Sequence, residues 1–175
     1  FEKICNLSGV LASSPEVIIP CSLGDQIVFL RGILPRDFIK LNRITMIEGN
    51  MLESDDIYSV IVGKNVAEKF HLKPGKKILV LGVLRDQYIE LSVKGVFFSH
   101  SPLDDEILAP LHVSQRLRGL DYEHVTLIRF RIDRKVTTPS QILKEIIKKP
   151  IESSSTPSQK PQKPSHPTTV SGPVK

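Results

Sequence analysis

The most constraining feature of this sequence is a strand–helix–strand unit whose parts are separated by glycine and proline. The β-branched run over residues 58–62 predicts a strand that stops at Gly63. Apolar residues at helical spacing then predict a short helix over 65–70. Pro74 and Gly75 predict a turn into the next strand. Breaks of this kind predict a sheet whose strands are connected by short helices.

Similar apolar runs recur on both sides of this unit. Further strands are predicted over residues 17–19, 26–30, 77–81, 88–98, 107–110 and 123–132. Pro110 suits an edge strand, because proline donates no ladder hydrogen bond. Helices are predicted over 112–118, ended by Gly119, and over 140–149, where Thr138 caps an amphipathic stretch. The predicted fold class is α+β: a mixed, strand-rich compact domain with short helices packed on the sheets.

The composition is that of a globular domain. Of the 175 residues, 40% are hydrophobic and 25% charged. No apolar run is long enough to cross a bilayer. The first residues lack the basic start and apolar stretch of a secretion signal, and the chain begins with Phe1. We therefore expect a piece excised from a longer protein.

A change of composition near Pro150 predicts a domain boundary. Residues 1–149 form the predicted domain, with its N-terminal part expected to be truncated. Residues 150–175 contain six Pro, six Ser and three Thr and almost no large apolar side chain. Such a segment buries too little surface to offset its ordering entropy, so a disordered tail is predicted. Its composition fits both an extracellular stalk and an intracellular linker.

The net charge of +5 raises the question of nucleic-acid binding. Most positive charges alternate with negative ones along the chain, whereas a nucleic-acid footprint needs clustered Lys and Arg with stacking aromatics. The nearest approach is Arg129, Phe130 and Arg131. Strand alternation separates Phe130 from the two arginines, as on an ordinary solvated strand face. No nucleic-acid partner is predicted.

Two cysteines, Cys5 and Cys21, leave two interpretations open. In an oxidising compartment they could form a disulfide, which would stabilise the fold by roughly 3 kcal/mol. They could equally be two independent thiols. Neither has the Cys-x-x-Cys or Cys/His spacing of a zinc site.

Residues that would indicate catalysis or a cofactor are scarce. His100 and His112 flank the acidic run over 104–106. These residues could bind a cation or form the active site of a hydrolase, although such a cluster is more often a solvated loop. Lys64 and Lys76 follow glycines, but without the spacing of a phosphate-binding loop. We predict a non-catalytic module with no cofactor and no metal.

Short motifs between residues 31 and 115 occur in a specific order. They read RGILPRDF (31–38), IEGNML (47–52), SVIVGKNVAEKF (59–70), LKPGKKI (72–78), VKGVF (93–97) and DDEILAPLHVSQ (104–115). This order resembles the MacB-like periplasmic core domain of FtsX-, LolC- and MacB-type ABC-transporter permeases. The resemblance covers about residues 8–133. One departure is Lys76, where the family commonly has Asp.

The resemblance marks a set of residues that define the fold and form no active site. They are Gly32, Pro35, Gly49, Gly63, Ala67, Pro74, Gly75, Gly95 and Pro110. The physical properties of these residues also indicate a structural role. Gly63 lets a helix start close to the end of a strand, and Pro74 and Gly75 make a turn.

The resemblance also implies a function, a location and partners. The expected function is that of an extracytoplasmic permease domain at the cell membrane, coupling ATP hydrolysis in the cytoplasm to export or mechanotransmission. The expected partners are the membrane-spanning segments of the same polypeptide, a cytoplasmic ABC ATPase, a second permease and an extracytoplasmic protein. The alternative is a cell-surface or periplasmic binding module on a Ser/Thr/Pro stalk.

Overall fold

The computed structural model describes residues 2–148, so the tail predicted over 150–175 lies outside the described residues. The strands are β1 (Val10–Leu23), β2 (Gln26–Ile33), β3 (Thr45–Gly49), β4 (Ser59–Gly63), β5 (Lys77–Gly82), β6 (Gln87–Phe98), β7 (Glu106–Pro110) and β8 (Leu127–Ile132). The helices are α1 (Glu2–Cys5), α2 (Pro35–Leu41), α3 (Lys64–Phe70), α4 (Leu111–Arg118) and α5 (Pro139–Lys148), with a 3₁₀ turn at Pro102–Asp105. The predicted α+β, strand-rich class is confirmed.

Six strands close into a small barrel in the order β1-β2-β7-β4-β6-β5. The ring closes because β1 pairs with β2 along one edge and with β5 along the other. Cys21, Ser22 and Leu23 are the residues that pair on both edges. The two remaining strands lie outside the ring, β3 on β6 and β8 on the first half of β1.

The barrel interior is the main core, as strand alternation requires. Inward side chains come from alternate positions of all six strands, among them Val17, Leu30, Val62, Val80 and Leu91. Helices α3 and α4 contribute buried side chains to the same cluster. A barrel of this size has no channel, because branched aliphatic side chains fill it.

A second core lies outside the barrel, under α2. Phe38 of α2 is fully buried against outward side chains of the barrel, including Ile61 and Leu108. Helix α2 begins at Pro35, whose fixed φ suits the first helical turn. The sequence pattern does not predict this helix, because seven residues of mixed polarity carry little periodicity.

Three other details differ from the sequence predictions. Strand β1 begins at Val10 and continues through Pro15 and Pro20, well before the predicted start at residue 17. Pro110 is not on an edge strand, so that prediction is wrong: β7 lies between β2 and β4. The proline is the last residue of the strand and the N-cap residue of α4, and it lies beyond Ile107 and Leu108, the two residues of β7 that pair with β4. Strand β8 begins only at Leu127.

Gly63 shows why the strand–helix unit needs its glycine. A Cβ at this position would lie 2.3 Å from the backbone carbonyl oxygen of Asp104 in the 3₁₀ turn. Gly75 has a φ of +87°, in the left-handed region that glycine adopts without strain. None of the helices between residues 2 and 148 combines the length and hydropathy that a bilayer crossing needs.

Candidate interaction surface

An ion-pair network crosses the outer side of the barrel and joins four strands. Glu16 of β1 is completely buried, and its carboxylate accepts hydrogen bonds from Arg31 Nη1 (2.6 Å) and Arg129 Nε (2.7 Å). Arg31 on β2 also donates from Nε and Nη2 to the two carboxylate oxygens of Glu106 on β7, at 2.6 and 2.8 Å. We call Glu16, Arg31, Glu106 and Arg129 the ionic network.

The ionic network contains two carboxylates and two guanidinium groups, so its buried charges balance. Burial alone would lower the pKa of Arg31, but its hydrogen bonds to Glu106 and Glu16 outweigh that effect and raise the pKa. Arg129 also donates to the side chain of Asn42 at 3.1 Å and lies over the ring of Phe38, 5.2 Å from its centre. The network therefore ties the position of α2 to the barrel strands.

Beside the ionic network, on the same outer surface of β1 and β2, the barrel presents apolar side chains to solvent. Tyr88 is 63% exposed, Ile27 59%, Leu79 56% and Phe29 50%. They lie on β6, β2 and β5, and all point outward. We call these four residues, with Pro20 and Leu81 between them, the bare face. An exposed apolar patch of this kind typically marks an interaction site.

The histidines and acidic residues singled out in the sequence do not converge on one site. His112 lies 2.8 Å, through Nε2, from the carbonyl oxygen of Ile57, and the ring of His100 packs on Phe98. Asp104 accepts bonds from the backbone and hydroxyl of Ser99.

The rest of the acidic run is also engaged elsewhere. Asp105 accepts a hydrogen bond from Asn65, and Glu106 belongs to the ionic network. A cavity of about 320 Å³ does lie beside His112, between the start of α2 and residues 53–56. Within residues 2–148, no three His, Cys, Asp or Glu side chains gather closely enough to hold a metal ion.

The two cysteines are separate thiols in this structure. Cys5 is exposed, with its sulfur 3.0 Å from the hydroxyl of Ser13, whereas Cys21 is buried in the barrel. Ser13 and Cys21 lie on the same strand eight positions apart, and a strand rises about 3.3 Å per residue. A disulfide needs Cα atoms within about 7 Å. In this structure the two thiols therefore lie too far apart for a disulfide.

The residues marked as fold-defining are spread over the domain. Gly32 is the last residue but one of β2 and lies beside Ser114, while Gly49 ends β3 and Gly95 lies opposite it on β6. Pro35 and Pro110 stand at the starts of α2 and α4. The others lie within the strand–helix–strand unit: Gly63 precedes α3, Ala67 is buried in α3, and Pro74 and Gly75 form the turn after α3. They form no common pocket.

The ionic network and the bare face are both absent from the sequence predictions. Glu16 and Arg31 are the only charged residues in β1 and β2, and this is the signal in the sequence for a buried pair. The bare face had no such signal, because exposed and buried apolar residues look alike in a strand pattern.

The fold is similar to that of solved extracytoplasmic domains. The extracellular domain of the noncanonic ABC-type transporter YknZ from Gram-positive bacteria matches with a TM-score of 0.59 and 16% identity, covering 82% of this chain and 74% of that one. The periplasmic region of MacB from Actinobacillus actinomycetemcomitans matches with a TM-score of 0.57 and 14% identity, over 84% of this chain and 70% of that one.

A third solved domain, assigned to a permease protein from Porphyromonas gingivalis, has a TM-score of 0.53 and 14% identity, over 81% of this chain and 64% of that one. No protein-family model matches the chain, and no curated protein matches it either. The chain thus has the fold of the extracytoplasmic domains of YknZ and MacB, as its motifs predict.

Proposed function

We propose that this chain is an extracytoplasmic domain of an ABC-transporter permease, standing at the cell membrane on its outer side. The observation that supports the proposal most is the likeness in fold to YknZ and MacB, which extends over four fifths of the chain. The order of short motifs over residues 31–115 adds separate support, because it is a property of the amino-acid sequence and not of the fold.

In this proposal the domain transmits movement and performs no chemistry. ATP is bound and hydrolysed by a separate cytoplasmic subunit or domain, and the membrane-spanning segments of the permease connect it to this chain. The ionic network supports a rigid transmitter, since it links β1, β2, β7 and β8 to α2. Movement then occurs as hinge or shear at the ends of the domain. The proposed partners are a second permease and an extracytoplasmic protein.

The location is tested with the native thiols in intact cells that make the protein containing this chain. Cys5 is exposed, so a membrane-impermeant maleimide added outside should label it without lysis. The Cys5→Ser variant is the matched control, and Cys21 should stay unlabelled because it is buried. Labelling that requires lysis would contradict the proposed location.

The transporter role is tested by purifying, from membranes, the protein that contains this chain. We expect the purified protein to hydrolyse ATP through an accompanying subunit or a domain outside this chain, while the 175-residue chain alone binds no nucleotide. External labelling of Cys5 without any associated ATPase would favour the alternative, a surface binding module. Measurable ATP affinity of the chain alone would count against the proposal.

A further inference from the structure

Helix α5 exposes most of its apolar side. At 3.6 residues per turn, Ile142, Leu143, Ile146 and Ile147 share one continuous side of the helix. Only the edge of that side at Ile142 packs closely on the domain, because Ile142 is 1% exposed whereas Leu143 is 57% and Ile147 71% exposed. The apolar side is therefore wider than the contact it makes within the described residues.

The start of α5 is fixed to the domain. The backbone N–H of Thr138 donates to Oε1 of Gln141 at 2.9 Å, and the backbone N–H of Gln141 donates back to the Thr138 hydroxyl at 3.4 Å. Thr137, just before this reciprocal cap, is buried with its methyl group against Gly9. Helix α5 is thus held at its first turn while Leu143 stays exposed.

A basic cavity lies beside the same end of α5. It has a volume of about 440 Å³ and lies between the end of α2, strand β8 and Pro139, the first residue of α5. Three arginines line it, Arg129, Arg131 and Arg134, and no carboxylate does. We call this cavity the basic cavity.

Two of the three arginines have no anionic partner within the chain as described. Arg129 belongs to the ionic network, but neither Arg131 nor Arg134 forms an ion pair within residues 2–148, and both are exposed. On α5, the exposed Lys144 borders the apolar side, while Glu145 lies on the opposite side of the helix. The charge next to the exposed apolar side chains is therefore positive.

We propose that α5 and the basic cavity bind the surface of a membrane that contains anionic lipids. Leu143 and Ile147 enter the boundary between the headgroups and the acyl chains, as in helices that lie in the plane of a membrane surface. Arg131, Arg134 and Lys144 attract the lipid phosphates. The inference rests on the proposed function, which locates the chain at the outer side of the cell membrane, and it adds a direct contact between this domain and lipid.

A lipid surface suits this combination better than a protein partner. Three partly exposed aliphatic side chains, Leu143, Ile146 and Ile147, cannot supply the roughly 800 Å² that each partner buries in a stable protein interface. Binding in the plane of a membrane needs no such area, because a narrow apolar side and attraction to anionic lipids act together. The unpaired arginines supply that attraction.

The test is co-sedimentation of the 175-residue chain with lipid vesicles. One set of vesicles contains equal parts of phosphatidylglycerol and phosphatidylcholine, and the other contains phosphatidylcholine alone. We expect binding to the anionic set at about 20 mM salt, at least about 10-fold weaker binding to the neutral set, and a large loss at about 500 mM salt, where the attraction is screened.

Two double variants examine the two parts of the surface. Arg131→Glu with Arg134→Glu should weaken binding to the anionic vesicles at least about 10-fold, since each basic residue near the surface contributes about a factor of five. Leu143→Ser with Ile147→Ser should weaken it at least about 5-fold, because the apolar area that enters the membrane is lost.

Each double variant has a matched control elsewhere on the surface. Lys73→Glu with Lys76→Glu makes the same change of charge at exposed residues outside the basic cavity. Ile27→Ser with Leu79→Ser removes two exposed apolar side chains from the bare face. Both controls should bind the anionic vesicles as the unchanged chain does, and all four variants should keep its unfolding midpoint, because the substituted side chains are exposed.

Each outcome decides the proposal. A chain that does not sediment with the anionic vesicles overturns it. Equal losses in a double variant and its control also overturn it, because binding would then follow net charge or general apolarity and not this surface. Absence of vesicle binding would leave the permease role standing, whereas labelling of Cys5 only after lysis would contradict that role and leave vesicle binding as a property of the chain.

Discussion

Arg129 donates from Nε to Oε1 of Glu16 over 2.7 Å, although the two residues are 113 positions apart in the sequence. The bond fastens β8 to β1 beside the point where Arg31 reaches the same carboxylate from β2. One buried anion therefore holds two cations from different strands. A single substitution at Glu16 would remove the carboxylate that pairs with Arg129 and one of the two that pair with Arg31.

Glu16→Ala should lower the free energy of unfolding by about 3–5 kcal/mol, the usual cost of removing one member of a buried ion pair. Denaturant unfolding followed by circular dichroism measures the effect. Glu90→Ala serves as the control, because Glu90 pairs with Lys77 on the surface, and its unfolding midpoint should hardly move. Equal effects of both variants would show that the network is not structurally important.

Gly63→Ala should destabilise the domain by roughly 3 kcal/mol, because the new methyl group meets the backbone of Asp104. Gly24→Ala is the matched control. Gly24 has a positive φ but no atom within 4 Å of an added Cβ, so only about 1 kcal/mol of backbone strain is expected. Thermal unfolding of both variants decides the comparison, and a smaller loss at Gly63 would show that the turn over 102–105 can yield.

The two thiols should react at very different rates in the folded chain. Burial raises the pKa of Cys21 to about 12, so almost no thiolate is present at pH 8, and the side chain is also shielded. Titration with a thiol reagent should find one reactive group in the native chain and two after unfolding. A mass two hydrogens lower than that of the reduced chain would instead demonstrate a disulfide.

The pair formed by Asp56 and Lys94 should contribute to stability in a pH-dependent way. Burial would raise the pKa of Asp56, but the hydrogen bond from Lys94 and the other bonds it accepts lower it. The unfolded state then binds the proton more tightly, so the contribution is present above pH 4 and lost as the pH falls through the folded pKa. Asp56→Asn should remove about 1 kcal/mol at pH 7 and nothing near pH 2.

The neighbouring residue provides the comparison for this pH effect. Asp55 is exposed, so Asp55→Asn should leave unfolding free energies unchanged at both pH values. Unfolding curves at pH 7 and pH 2 for the three proteins suffice. A loss at Asp56→Asn that persists at pH 2 would point to a packing effect instead of a charge effect.

The sequence predicts features that depend on adjacent residues and misses those that depend on distant ones. Gly63, Pro74 and Gly75 act locally, and the strand–helix–strand unit around them was predicted closely. The barrel closes only because β1 pairs with β5, and no pattern among adjacent residues predicts that pairing.

The candidate surface was harder to predict than the fold. Phe29 alternates with Leu30 along one strand, and only the three-dimensional arrangement decides that Leu30 is buried and Phe29 is not. Both residues are apolar, so a sequence pattern would place either one in the core. Helix α2 covers part of the outer barrel and leaves the remainder bare.

The double pairing of β1 has a consequence for how the chain is made. Val10 pairs with Ile132, and Leu23 pairs with Val80, so β1 leaves the ribosome well before its partners β5 and β8 are synthesised. Until then its apolar positions stay without their final neighbours, which exposes the nascent chain to misfolding. The domain can therefore complete its fold only after nearly all of its residues have left the ribosome. At that stage β1 pairs with β5, and this pairing closes the ring.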